Sequence, residues 1–157
     1  MPRTHLLSIA LLSALVLSAC GGSGAPSFPS DYADRLQAAW DSAGRGENPT
    51  HGCSVVVGLA VGRAGSAPAA RSDAAQAFQV CYVDVSARYV EARLAASPGE
   101  ESCANLAGHI MIARMSLGGF AGEVGLDRAQ LDRQLADRIG ARIRQNCPQS
   151  ADSILGS

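Results

Sequence analysis

Apolar residues recur at helical spacing along most of the chain, and five segments can be read from them. The first opens at Ser30, an N-cap residue type, with Asp31 and Asp34 in the first turn where the helix dipole favours anions. Tyr32, Leu36 and Trp40 fall four apart on one face, and Gly44 and Gly46 close the segment. The second opens with Asn48-Pro49, a cap followed by a helix-starting proline, and runs into a valine-rich stretch at residues 55–61. Valine favours a strand there. The lack of a second clear strand to pair its backbone groups favours a helix. Both readings stay open. Gly58 and Gly62, four apart, would let another helix approach closely, while each weakens a helix by up to about 1 kcal/mol.

The third segment, residues 72–96, has the clearest helical pattern. Phe78, Cys81, Tyr82, Val85, Tyr89 and Ala92 share one face, and Asp73, Asp84, Arg88 and Glu91 the other, with Asp84 and Arg88 placed as an i,i+4 ion pair. The fourth opens with Ser97-Pro98-Gly99-Glu100, read as a capping box with proline at the first helical position. It runs through Cys103, Leu106, Ile110, Met111 and Met115 to a stop at Gly118-Gly119. The fifth opens with Asp127 as N-cap and Gln130 three residues on, with Leu126 and Leu131 at the staple positions. Leu131, Leu135, Ile139 and Ile143 step along its inner face, and Arg138, Arg142 and Arg144 occupy its last turns. Pro148 ends it, and residues 150–157 read as a frayed tail. Short connections between helices favour antiparallel neighbours. The fold class that follows is all-α, a small four- or five-helix bundle over residues 30–149.

Upstream of the bundle the pattern changes. Arg3 precedes an apolar run of about 12 residues from Leu6 to Leu17, too short for a spanning helix, which needs about 20. Ser18 and Ala19 then lead to Cys20, the order of a secretory signal. Leu17-Ser18-Ala19-Cys20 resembles the lipobox of bacterial lipoprotein precursors. The resemblance covers residues 1 to about 23. It implies that residues 1–19 are a cleaved signal peptide, that the Cys20 sulfur carries a diacyl group, and that the new terminus is acylated as well. Each buried methylene contributes about 0.8 kcal/mol, so two or three chains anchor stably where one does not. Gly21 and Gly22, with no Asp beside Cys20, imply sorting to the outer membrane, facing the periplasm, in a cell that has one. Residues 20–29, rich in Gly, Ser and Pro, read as a lipidated flexible tether.

Composition narrows the picture further. Without the leader, 12 basic residues face 14 acidic ones, a balance that argues against nucleic acid as a partner. Four cysteines remain after Cys20, and an even count in an exported chain reads as two disulfides. Helical rise selects among the three pairings. Cys53 lies about ten residues before, and Cys81 about nine after, a turn near residues 64–71, so the two would be level. Cys103 at the start of the fourth segment and Cys147 at the end of the fifth meet if those helices are antiparallel and skewed. The expected pairs are Cys53 with Cys81 and Cys103 with Cys147.

Catalytic and metal constellations are weak. His51 and Cys53 could supply two metal ligands, but a structural zinc site needs four and the cysteines are better used as disulfides. His109, between Gly108 and Ile110, reads as a partly buried helix residue; a Cys–His nucleophile would need a free thiolate. Gly118, Gly119, Gly122 and Gly125 form a connection that follows a helix, without the strand and lysine of a phosphate loop. Asp84 with Glu91, and Glu100 with Glu101, read as a solvated stripe and a helix start, not as paired catalytic carboxylates. Arg138, Arg142 and Arg144 read as a solvated face that compensates the helix dipole. The expectation is a non-enzymatic, membrane-anchored envelope lipoprotein with no metal and no cofactor. It would bind an envelope protein, as an interaction or assembly factor similar in size and layout to the pilotins of outer-membrane secretins. The alternative is a binding module for an apolar small molecule or lipid; an envelope-acting enzyme comes third.

Overall fold

The structure is a computed structural model that describes residues 32–64 and 68–156. The expected signal peptide and tether, Cys20 and the expected Ser30 cap lie outside the described residues. Among the described residues every regular element is helical: α1 (Ala33–Gly44), α2 (Thr50–Ala64), α3 (Pro68–Gln79), a wide π turn (Val80–Val85), α4 (Ser86–Ala96), α5 (Glu100–Ser116), two 3-10 turns (Gly118–Phe120 and Gly122–Val124), α6 (Arg128–Asn146) and α7 (Ala151–Leu155). They form a small all-α bundle stapled by two disulfides.

The valine-rich second segment is a helix, which pairs its own backbone groups where no strand is at hand. Its Val56, Val57 and Ala60 are buried against α1 and α3. The expected role of Gly58 and Gly62 does not hold: both are exposed, and a Cβ at either would meet nothing within 4 Å.

The third segment forms α3 and α4, which run into each other through the π turn, an i→i+5 geometry that widens the helix locally. Val80, Cys81, Tyr82, Val83 and Val85 are all buried in it, because α1, α2 and α6 pack around this stretch. Phe78 and Tyr82 stack with ring centroids 5.7 Å apart. The Asp84–Arg88 pair expected from i,i+4 spacing does not form. Asp84 accepts from Arg138 Nη1 of α6 at 2.7 Å, while Arg88 donates its Nε–H to the Trp40 carbonyl at 3.1 Å and lies over the Trp40 ring. The π turn shifts the register between those two positions, and tertiary partners take both side chains.

The capping box at Ser97 is also corrected. Ser97 ends α4, Gly99 precedes α5 with φ +115°, a backbone conformation that favours glycine, and α5 starts at Glu100. The Glu100 carboxylate instead accepts from Gln149 N at 2.8 Å and Ser150 Oγ at 3.1 Å. Those contacts hold the start of α7, so residues 150–156, expected as part of a frayed tail, are ordered into it: Ala151, Ile154 and Leu155 are buried, and Arg114 of α5 donates to the Leu155 carbonyl at 2.9 Å. Asp127 does cap α6, accepting from Ala129 N at 2.9 Å, and Leu131, Leu135, Ile139 and Ile143 form its buried stripe.

The disulfides join Cys53 to Cys81 and Cys103 to Cys147, with Cα separations of 5.5 and 5.8 Å. One ties α2 to the π turn and the other ties the start of α5 to the end of α6. These are the pairs selected from helical rise.

Candidate functional site

Helix α5 is apolar around most of its circumference. Its inner face buries Cys103, Leu106, His109, Ile110 and Ala113. Its outer face carries Gly108, Met111, Ile112 and Met115, positions that share a stripe at i, i+3, i+4 and i+7. Met111 is 57 % exposed, Ile112 43 % and Met115 70 %. Among the described residues these are three of four large apolar side chains left in water, the fourth being Leu59 of α2. Scattered exposed apolar residues need no explanation, whereas a clustered stripe marks a contact surface. Methionine suits one, because its unbranched thioether adapts to different partner shapes.

The stripe borders a groove of about 450 Å³ between α5 and α7. Met111, Met115 and Ile154 line it together with Arg114 and Arg128. Arg114 is fixed: its Nε–H donates to Asp132 Oδ1 at 3.2 Å.

His109 faces inward from the same helix and is fully buried, more so than its flanking Gly108 and Ile110 suggested. Its Nδ1 lies 3.0 Å from Asn48 Oδ1 and 3.1 Å from Thr50 Oγ1. Asn48 Oδ1 also accepts from Thr50 N at 2.9 Å, so it is an acceptor and Nδ1 carries the imidazole proton. The ring packs on Tyr89 at 4.2 Å, and no group among the described residues donates to the buried Nε2. Burial pushes its pKa down to about 4, so the ring is neutral near pH 7. His109 joins α5 to the α1–α2 connection and holds one tautomer, which is a structural part.

The remaining candidates disperse. His51 is exposed on α2, and Cys53 is consumed by its disulfide. Asp84 pairs with Arg138, and Glu91 sits apart from it on α4. The glycines at 118, 119, 122 and 125 fall in the 3-10 turns between α5 and α6 and their closing residue. Arg142 and Arg144 are exposed at the end of α6. Cys20 lies outside the described residues.

Sequence reasoning placed Met111 and Met115 along the helical run without separating them from the core. The signal was present: α5 carries apolar residues on two opposed faces, more than one packed surface requires. Among the described residues no helix is long and apolar enough to cross a membrane. No family model, no curated protein and no solved structure matches this chain.

Proposed function

We propose that the chain is a membrane-anchored envelope lipoprotein whose helical domain docks a protein partner through the outer face of α5. The lipobox-like segment ending at Cys20 would hold the domain at the membrane, on the periplasmic side of the outer membrane in a two-membrane cell. The residues after it would give the domain reach, and tethering raises the effective concentration of a membrane partner. No cofactor or metal is required. The observation that carries the reading is the exposed stripe of Met111, Ile112 and Met115. A role as assembly or pilotin-like factor fits an anchored helical domain with such a face. Site-specific photo-crosslinking from position 111 or 115 in cells, with a Cys20→Ser control for anchoring, tests it. A single crosslinked envelope protein that weakens in the control supports the reading, and no crosslink above background removes it.

The groove beside the stripe favours a second reading, a module for an apolar small molecule or lipid bound between Met111, Met115 and Ile154. Native mass spectrometry of the chain purified from its own cells would then show an added ligand mass; bare protein mass removes this reading.

A further inference from the structure

We propose that the cleft walled by α5, α6 and α7 is a binding site for a phosphate group, carried on a lipid headgroup or free in solution. The cleft has a volume of about 470 Å³ and is lined by Arg114, Arg128, Arg133 and Arg144 against one carboxylate, Asp132. Asp132 is already engaged: it accepts from the Tyr82 hydroxyl and from Arg114 Nε, and Arg128 Nε lies 3.9 Å from it. Among the described residues, Arg133 and Arg144 have no carboxylate within salt-bridge distance. Four cations gathered around one committed carboxylate repel one another, and a bound anion relieves that repulsion.

The glycines nearby show that these side chains are accommodated there. A Cβ at Gly118 would come within 2.9 Å of Arg128 Nε, one at Gly156 within 2.8 Å of Arg114 Nη1, and one at Gly140 within 3.1 Å of Arg144 Nη1. Gly140 is the informative case. It lies inside α6 without a positive φ, so the backbone does not demand glycine, and glycine weakens a helix interior relative to alanine. Its missing side chain leaves room for Arg144, one turn further on, to fold back along the helix toward the cleft.

Guanidinium groups arriving from α5 and from separate turns of α6 suit a tetrahedral, multiply charged phosphate, whereas a planar carboxylate is satisfied by one fork. Arg114 and Arg128 also line the groove of Met111 and Met115, so a phosphate on an apolar tail would meet both surfaces. The site stands whether or not the α5 face docks a protein.

The test is isothermal titration of the full chain in nonionic detergent at low salt, with inorganic phosphate, dihexanoyl phosphatidate and hexaglutamate as separate titrants. Phosphate and phosphatidate are expected to bind. Tighter phosphatidate binding assigns the group to a lipid, and equal binding assigns free phosphate. Arg133→Gln combined with Arg144→Gln should weaken binding about tenfold or more. Gly140→Ala should weaken it several-fold with the melting temperature unchanged or raised, which a merely structural glycine would not do. Absence of phosphate binding, preference for hexaglutamate, or affinity indifferent to both variants overturns the proposal.

Discussion

Tyr82, in the middle of the π turn, donates its hydroxyl to Asp132 of α6. The same carboxylate oxygen accepts from Arg114 of α5, so three elements converge on one group. Burial, and then the Asp132 contact, push the phenol pKa up, which keeps the hydroxyl protonated as a donor. A hydrogen bond to a charged acceptor contributes about 1.5–3 kcal/mol. Tyr82→Phe should therefore lower unfolding free energy by about 2 kcal/mol, measured by urea denaturation, with the m-value unchanged. A change below about 0.5 kcal/mol would mean that the pair is loosely held.

The second expectation concerns acid. His109 is buried among Asn48, Thr50 and Tyr89 with a pKa of about 4, against an ordinary value of 6.5. Between those values the unfolded chain takes a proton that the folded chain does not. Stability is therefore fully present above pH 6.5 and falls as the pH drops toward 4. Between pH 7 and pH 5 the loss from this group is about 2 kcal/mol. Urea unfolding of wild type and His109→Gln at the two pH values checks it: the wild type should lose that much more than the variant.

Helix α7 gives the third. Ile154 is 1 % exposed, and Glu100 and Arg114 grip the two ends of α7. Ile154→Ala should cost about 2–4 kcal/mol by thermal or urea unfolding. A frayed segment would give no measurable change.

The disulfides give the fourth. In the chain-entropy picture, the Cys103–Cys147 link, spanning a separation of 44 residues, restricts the unfolded chain by about 4 kcal/mol, slightly more than Cys53–Cys81 with its separation of 28. Replacing Cys103 and Cys147 together by alanine should lower the melting temperature clearly, and treatment with reductant should do the same to the wild type. Equal melting temperatures with and without reductant would contradict this.

Much of the bundle was legible in the sequence because local and tertiary preferences agree there. The α6 stripe from Leu131 to Ile143 and the Asp127 cap are both written locally; helical rise placed Cys53 and Cys81 level, and Cys103 and Cys147 within reach given a skewed antiparallel crossing. The failures occur where distant partners decide. Asp84 and Arg88 had correct helical spacing, but Arg138 and Trp40 took them. Ser97 carried a capping pattern, but Gly99 supplied the turn, and the Glu100 carboxylate went to α7. The C-terminal residues read as a frayed tail, but contacts with Glu100 and Arg114 and the burial of Ile154 and Leu155 hold α7 there. The arginine cleft was invisible for the same reason: its side chains come from positions 114 to 144 on two helices, and α7 closes it.

The central claim is that the outer face of α5 meets a protein. A photo-crosslinking residue at Met115 of the full chain, compared in living cells with one at exposed Gln76 of α3, tests it most directly. The account predicts one strong crosslinked envelope protein from position 115, none from position 76, and loss of the product when Met111→Glu is added. Crosslinks of equal yield from both positions, or none from position 115, would contradict it.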